Sequence, residues 1–251
     1  MKQAGEKISS LTAYDASFSA LIDQLGIDII LVGDSVGMVI QGHQTTLPVT
    51  MEHILYHTRC VTRSRQRAFV VADLPFMSYP TPQIAAENAA RLLREADAQM
   101  VKLEGPRYET IEFLVQQGIP VCGHLGLLPQ SINLMGEYKV HAKTVNDAEL
   151  LVEQALDIER AGASLLVLEC VPADLAGKVS RLLTSPVIGI GAGVECDGQI
   201  LVLYDMLNIT QGKLPRFAKN FMQGAESIAA AISAYHQAVK QASFPGKEHS
   251  Y

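Results

Sequence analysis

Four acidic residues each stand at the end of a short apolar run that is rich in β-branched residues. They are Asp34 in IILVGDS, Asp73 in AFVVADLP, Glu104 in QMVKLEG and Glu169 in SLLVLEC. Each interval between the first three leaves room for a strand, a helix and their connections. Successive β/α units would therefore bring these carboxylates to one rim of a parallel sheet. An acidic residue at the C-terminal end of a barrel strand is typical of chemistry rather than of packing.

Apolar runs and helical patterns alternate along the whole chain. The runs predict strands over residues 8–14, 29–33, 69–73, 100–104, 119–123, 165–169, 187–190 and about 199–203. Most runs are continuously apolar, as expected of strands buried on both faces of a parallel sheet. For 251 residues, a single α/β domain over residues 1–251, a (β/α)8 TIM barrel, fits better than an open doubly wound sheet. No GxGxxG motif follows the first strand to support a dinucleotide fold.

Boundary signals for helices are clear in two places. Thr81, followed by proline, predicts the N-cap of a helix over QIAAENAARLLREAD. Asn146 with Glu149 predicts a capping pair before LLVEQALDIERAG, and Gly162 predicts the end of that helix. The residues after about Tyr235 are predicted to be loosely attached.

Composition and charge narrow the possible classes of protein. The formal net charge is −6 and no run of lysine and arginine stands out, which argues against a nucleic-acid partner. No apolar stretch is long enough to span a bilayer and the N-terminus has no signal-peptide core, so we expect a cytoplasmic protein without a membrane partner. The four cysteines form no CxxC pair and are expected to be free thiols in a reducing compartment.

The acidic residues also predict a metal site. Residues two apart on a strand share a face, so Lys102 should point into the barrel mouth together with Glu104. Carboxylates without histidine or cysteine neighbours favour Mg²⁺ or Mn²⁺ over Zn²⁺. Mg²⁺ usually keeps one or two protein carboxylates, and competition from Lys102 makes Glu104 the candidate for an acid that does not touch the metal. The alternative for any one acid alone is a helix cap or a turn.

Two further features have competing interpretations. His124 in VCGHLGLLPQS should follow the fifth strand and reach the same mouth, either as a functional or as a structural histidine. The glycines within residues 189–193 follow the seventh strand. They could expose backbone N–H groups to a phosphate, or they could serve tight turning or the close approach of an uncharged ligand.

Longer phrases cover nearly the whole chain in order. They are LTAYDASFS, LVGDSVGMVIQGHQTTLPVT, ADLPFMSY, MVKLEG, PVCGHLGLLPQS, LLVLECVP, PVIGIGAG and FPGKEHS. Together they resemble the ketopantoate hydroxymethyltransferase family. The resemblance implies a (β/α)8 barrel that assembles as a homodecamer of two pentameric rings. It also implies a Mg²⁺-dependent enzyme of pantothenate biosynthesis that moves a one-carbon unit from 5,10-methylenetetrahydrofolate to 3-methyl-2-oxobutanoate, giving 2-dehydropantoate.

The resemblance implies roles for individual residues as well. Positions at the substrate site are matched by Asp34, Ser35, Asp73, Lys102 and His124. Among these, Asp34 and Asp73 match the family's metal-binding aspartates, and Glu104 matches a third metal-associated acid. Glu169 matches the proposed catalytic acid/base.

The chain departs from the family in places, and two alternatives stay open. Family members usually have a longer N-terminal segment with a helix before the first strand, and its shortening should affect ring assembly or stability rather than chemistry. Residues 140–146 match less well and are predicted to form a mobile loop. One alternative is a Mg²⁺-dependent carbon–carbon lyase of the phosphoenolpyruvate mutase and isocitrate lyase type, although the cysteine loop of those lyases is missing. The other is a non-catalytic paralogue, against which the intact acidic set argues.

Overall fold

Strands and helices alternate along the chain. A computed structural model describes residues 1–136, 142, 144–212 and 214–251. Its strands are β1 Ile8–Thr12, β2 Ile29–Val32, β3 Phe69–Asp73, β4 Met100–Glu104, β5 Val121–Gly126, β6 Leu165–Glu169, β7 Val187–Ile190 and β8 Gly198–Leu201. Its helices are α1 Ala16–Gln24, α2 Val36–Val39, α3 Met51–Thr62, α4 Pro82–Ala96, α5 Tyr108–Gln116, α6 Ile132–Met135, α7 Val145–Arg160, α8 Ala173–Leu182, α9 Leu203–Met206 and α10 Ile228–Lys240.

The strands form a closed parallel barrel in chain order. Each strand pairs with the next, and β8 pairs with β1 to close the ring. The predicted (β/α)8 TIM barrel is therefore confirmed. Inward side chains such as Leu31, Val71, Cys122, Val167 and Ile200 fill the interior and leave a void of about 10 Å³. That space is about the size of a single water, so ligands must bind at an end of the barrel rather than inside it.

The strand positions follow the prediction closely, except around the fifth strand. β3, β4, β6 and β7 begin and end at the predicted residues. The expectation that His124 follows the fifth strand is wrong, because β5 extends to Gly126 and His124 lies within it, opposite Glu104. The polar and glycine residues of CGHLG interrupt the apolar pattern, although a polar inward side chain is compatible with a barrel strand near its mouth.

The helix caps agree with the prediction in one case and differ in another. Thr81 caps α4 as predicted, with its hydroxyl accepting a backbone N–H at 3.4 Å. The predicted capping role of Asn146 is wrong, since α7 begins at Val145 and Thr144 accepts the N–H of Asp147 at 3.1 Å. Threonine with extended backbone is a good N-cap, so the earlier residue takes the role. The positive φ after α7 occurs at glycine, as predicted.

The C-terminal segment is held firmly, so the prediction of a loose tail after Tyr235 is wrong. Tyr235 is fully buried in α10, and its hydroxyl lies 2.8 Å from the carbonyl oxygen of Ser10 and 2.9 Å from that of Gln199. This places it across the seam between β1 and β8. Further along, the ring of Phe244 packs against Phe221 and Tyr235.

The four cysteines are free, as predicted, and all but Cys60 are buried. Within the described ranges, no helix combines the length and the apolar character needed to cross a membrane. The loop predicted over residues 140–146 falls partly outside the described residues, and its last two residues begin α7. A single 3-10 turn, Lys2–Ala4, precedes β1.

Candidate active site

Asp73 and Lys102 form a buried ion pair at the C-terminal mouth of the barrel. Asp73 is the last residue of β3 and lies opposite Lys102 of β4. Lys102 Nζ donates to Asp73 Oδ1 at 2.6 Å, and the backbone N–H of Asp34 donates to Asp73 Oδ2 at 3.0 Å. Because both of its oxygens accept hydrogen bonds from the protein, the Asp73 carboxylate has a fixed orientation.

Ser35 lies at the rim of this pair and is held by a buried tyrosine. Its hydroxyl is 2.8 Å from the hydroxyl of Tyr14, whose pKa is raised by burial so that the phenol stays neutral. A Cβ added at Gly33 would lie 2.9 Å from Ser35 Oγ and 3.3 Å from Asp73 Oδ2. The glycine therefore leaves the space in which these polar groups meet.

Gln130 ties two of the acids together. Its side-chain amide donates to Asp34 Oδ2 at 2.9 Å and to the Leu74 carbonyl at 3.0 Å. Its backbone N–H donates to Glu104 Oε2 at 3.0 Å, and the Tyr79 hydroxyl donates to its amide oxygen. This uncharged residue is absent from the sequence-based prediction, although it stands in the PVCGHLGLLPQS phrase just after β5.

His124 is buried between two carboxylates without a well-aligned hydrogen bond to either. Its Nε2 lies 3.3 Å from Glu169 Oε2 and its Nδ1 lies 3.6 Å from Glu104 Oε1. Neither ring nitrogen has a partner in hydrogen-bonding geometry within the described part of the chain. Burial lowers the pKa of the imidazole, but the two carboxylates outweigh burial and raise it to about 9. The ring is therefore protonated at neutral pH, with two donors available to a ligand.

The cluster holds more acidic than basic side chains. The acids are Asp34, Asp73, Glu104 and Glu169, and the cations are Lys102 and the His124 imidazolium. Burial and the charges of Asp73 and Glu104 raise the pKa of Asp34 well above its usual value. Burial lowers the pKa of Lys102, but the surrounding carboxylates raise it more strongly. A divalent cation would balance the excess negative charge and allow Asp34 to ionise.

The donor set fits a hard cation that is held by few protein ligands. Across the described residues, no three histidine, cysteine, aspartate or glutamate side chains converge as they would around a metal ion. Mg²⁺ takes one or two carboxylates and completes its coordination with water and substrate oxygens. Asp34, Asp73 and Glu104 all offer buried carboxylates, and each already accepts at least one hydrogen bond from the protein. The expected competition of Lys102 for Glu104 is wrong, because its amine donates to Asp73 instead. The predicted metal ligation stays a prediction.

The glycine loop after β7 is closely packed. Gly191 has φ of 62°, and a Cβ there would lie 3.0 Å from both Phe217 and the ring of Tyr251. A side chain at this position would therefore collide with its neighbours, which agrees with the interpretation of tight turning. The phosphate and uncharged-ligand interpretations stay predictions.

The barrel brings all the predicted site residues to its C-terminal mouth. They are Asp34, Ser35, Asp73, Lys102, Glu104, His124 and Glu169. Gln130, Tyr79 and Tyr14 complete the hydrogen-bond network around them. A buried set of carboxylates with two adjacent cations can bind a small anionic substrate and move protons at its carbon atoms.

The sequence of the chain also matches the model of a known protein family. The family model described as ketopantoate hydroxymethyltransferase matches residues 1–247. The chain belongs to this family. The predictions of the family and of an enzyme of the hydroxymethyltransferase type are confirmed.

Individual relatives extend the ketopantoate hydroxymethyltransferase match over the whole chain. A protein from Burkholderia cenocepacia named 3-methyl-2-oxobutanoate hydroxymethyltransferase 1 is 57% identical over 100% of this chain and 93% of its own length. A protein from Marinobacter nauticus named 3-methyl-2-oxobutanoate hydroxymethyltransferase is 53% identical over 100% of this chain and 95% of its own length.

Two solved structures with a similar barrel are far more distant in sequence than these relatives. The phosphoenolpyruvate phosphomutase from Streptomyces platensis subsp. rosaceus has a TM-score of 0.62 at 12% identity, covering 82% of this chain and 80% of that chain. A 2,3-dimethylmalate lyase of the PEP mutase/isocitrate lyase superfamily has a TM-score of 0.59 at 15% identity, covering 80% and 76%. Likeness at this identity shows the fold alone, so it does not favour the lyase alternative.

Proposed function

We propose that this enzyme transfers a one-carbon unit from 5,10-methylenetetrahydrofolate to 3-methyl-2-oxobutanoate and so forms 2-dehydropantoate. The observation that carries the proposal is the buried cluster of carboxylates around Lys102 and His124, in a chain that belongs to the ketopantoate hydroxymethyltransferase family. A 2-oxo acid needs positive groups beside its carboxylate and keto oxygens and a base near C3. The cluster supplies both kinds of group.

Mg²⁺ is proposed as the metal, held by Asp34 and Asp73 with Glu104 nearby. The support is the surplus of buried carboxylates over cations and the oxygen-only chemistry of the donors. When bound, the ion supplies Lewis-acid polarisation of the substrate oxygens and compensation of their negative charge.

Three side chains are proposed to bind and orient the oxo acid. Lys102 and His124 are 5% and 2% exposed, so their charges act in a site from which water is largely excluded. Both ring nitrogens of His124 lack a well-aligned protein partner among the described residues and can donate to substrate oxygens. The Ser35 hydroxyl, fixed by its contact with Tyr14, adds a third orienting hydrogen bond.

Glu169 is proposed as the acid/base group. It ends β6 and lies 3.3 Å from His124 Nε2. Its side chain is 14% exposed, compared with 3% for Glu104 and Asp73, so it can exchange protons with water more readily than either. A carboxylate in this position can serve the reacting carbon or the new hydroxyl group.

The proposed transfer balances without a redox cofactor. C3 of the oxo acid loses its proton and bonds to the methylene carbon of the donor, whose two bonds to the folate nitrogens break. A water molecule provides the oxygen of the new hydroxymethyl group. The proton from C3 and one proton of the water replace the two carbon–nitrogen bonds, which leaves tetrahydrofolate.

A homodecameric assembly and a cytoplasmic location belong to the same proposal. The resemblance to the family supports the decamer. The four free cysteines support a reducing compartment such as the cytoplasm.

Carbon-13 labelling tests the proposed transfer. We expect the purified protein, given Mg²⁺, 3-methyl-2-oxobutanoate and methylenetetrahydrofolate made from ¹³C-formaldehyde, to produce a ¹³C-labelled hydroxymethyl signal. Glu169→Gln should slow its appearance by about 10²–10⁴-fold, the usual contribution of a general acid or base. The matched control is Glu195→Gln, at a side chain that is 64% exposed and remote from the cluster's contacts. No labelled product from folded, Mg²⁺-supplemented wild type would contradict the proposal.

A further inference from the structure

A cleft of about 350 Å³ opens beside the acidic cluster. The segments that follow β3, β4 and β5 line it, and its volume is within the range of small-molecule sites. Three residues line the cleft and also belong to the hydrogen-bond network of the cluster: Tyr79, Glu104 and Gln130. A molecule in this cleft would therefore lie next to a bound oxo acid.

One part of the cleft is apolar and exposed. Phe76 is 45% exposed and Met77 is 64% exposed, and Leu128 adds to the same lining. Met77 has φ of 61°, a conformation that costs free energy for a residue with a side chain. Backbone strain of this kind clusters at ligand sites, and an exposed aromatic ring offers a surface on which a flat ring can stack.

Arg107 adds a cation to this lining. It directly precedes α5 and is exposed. In the part of the chain that the structure describes, its guanidinium takes part in no ion pair and no side-chain hydrogen bond. The planar guanidinium is suited to pairing with a carboxylate through two hydrogen bonds.

An apolar, exposed lining beside an arginine favours a ligand with a flat, partly apolar ring system and an anionic end. We propose that the cleft binds the one-carbon donor, with its rings against Phe76 and Met77 and its glutamate carboxylates paired with Arg107. The inference rests on the proposed function, because it takes a folate as the donor. It places the carbon to be transferred near Glu104, on the border between cleft and cluster.

Calorimetric titration with tetrahydrofolate, under anaerobic reducing conditions, tests the site by binding rather than by turnover. Calorimetry is suitable because the chain has no tryptophan to report binding by fluorescence. We expect Arg107→Gln to weaken binding about tenfold, the effect of losing a charge-assisted hydrogen bond. Phe76→Ala, in the apolar part of the lining, should weaken it as well. The matched control is Arg94→Gln on α4, where the side chain is 76% exposed.

A second ligand locates the anionic end. Tetrahydropteroate lacks the glutamate, so wild type should bind it less tightly than tetrahydrofolate, and Arg107→Gln should lose that preference. Unchanged affinities in Arg107→Gln and Phe76→Ala, or a retained preference for the glutamate in Arg107→Gln, would overturn the assignment. Thermal unfolding verifies that each variant is folded. If Arg107→Gln does not fold, the affinity of Phe76→Ala for tetrahydrofolate decides the test alone.

Failure of the donor site and failure of the proposed function give different results. If wild type forms the labelled product while the cleft variants bind tetrahydrofolate normally, the donor binds elsewhere and only this inference is wrong. If wild type forms no product, the proposed function is wrong, and the inference loses its basis.

Discussion

Among individual residues, Asp34 and His124 show most clearly that the cluster is built for a ligand. Asp34 lies beside the charges of Asp73 and Glu104, which together with burial raise its pKa. His124 is buried, yet both of its ring nitrogens lack an aligned partner among the described residues. Charge repulsion among the acids reduces the stability of the empty site, and a bound cation would relieve it. The two ring N–H groups of His124 can donate to a bound anion.

Asp34→Asn should separate the function of the site from its stability. Because the pKa of Asp34 is raised in the fold, its ionised form opposes folding at neutral pH, and the neutral amide removes that cost. We expect the variant to unfold at the same temperature as metal-free wild type or higher, while losing Mg²⁺-dependent binding of 3-methyl-2-oxobutanoate in calorimetry. Asp174→Asn, an exposed aspartate of α8, is the matched control. Unchanged Mg²⁺-dependent affinity in Asp34→Asn would contradict the assignment.

His124 should give the metal-free protein a measurable pH dependence. Its pKa in the fold is about 9, against an ordinary value of 6.5. The contribution of the protonated ring to stability is therefore complete below about pH 6.5 and is lost as the pH rises through about 9. In the presence of a chelator, the unfolding temperature of wild type should fall over this range by more than that of His124→Gln. Parallel pH profiles for the two proteins would show that the ring does not titrate as described.

The predictable site residues are those whose position in a strand reveals them. Asp73, Glu104 and Glu169 are the last residues of strands, and a run of apolar residues ending in an acid is visible in the sequence. Gln130 is not predictable in this way, because it is uncharged and its side chain bonds to residues 56 and 96 positions away. Only the closed barrel brings such partners together.

Among the strands, helices and loops, buried carboxylates outside the active site hold connections in place. Asp23 of α1 accepts the backbone N–H groups of Gln66, Arg67 and Ala68, which connect α3 to β3. Burial raises the pKa of this carboxyl, but the backbone hydrogen bonds outweigh burial and lower it overall. Asp23 of α1 therefore holds the loop before β3 in place. This also positions the start of the strand that carries Asp73.

Asp23→Ala should destabilise the fold without touching the site. It leaves three backbone N–H groups without their acceptor, which we expect to cost about 1–3 kcal/mol in urea unfolding at neutral pH. The lowered pKa means that the stabilising contribution is present above the unfolded value of 3.8 and is lost as the pH falls through the lower folded value. Glu87→Ala, at an exposed position of α4, is the control. A stability of Asp23→Ala equal to that of the control would contradict this role.

The strands were easier to predict than their exact connections. Strands buried on both faces leave continuous apolar runs, and four of them begin and end where the sequence indicates. The apolar pattern does not give the bounds of β5, because this strand carries polar inward residues such as His124 near the barrel mouth. The attachment of the C-terminal segment is not predictable from local sequence, because it depends on Tyr235 contacting β1, more than 200 residues earlier in the chain.

For the molecule as a whole, closure of the barrel turns acids spread along the chain into one cluster. Strand order β1 to β8 places the ends of β3, β4 and β6 around a common mouth, with a packed interior below. The number and spacing of apolar runs were enough to predict this architecture. The cleft was not predictable, because it is formed by irregular segments after several strands, whose paths depend on the assembled barrel.

Proton NMR in D₂O can monitor solvent exchange at C3 of 3-methyl-2-oxobutanoate. This measurement tests whether the cluster performs the proposed chemistry. With purified protein and no folate, we predict a Mg²⁺-dependent loss of the C3 proton signal, because the cluster should remove that proton and return a deuteron. Adding methylenetetrahydrofolate should then give the hydroxymethyl product. A folded, Mg²⁺-supplemented sample that shows neither exchange nor product would contradict the assignment of this cluster to one-carbon transfer.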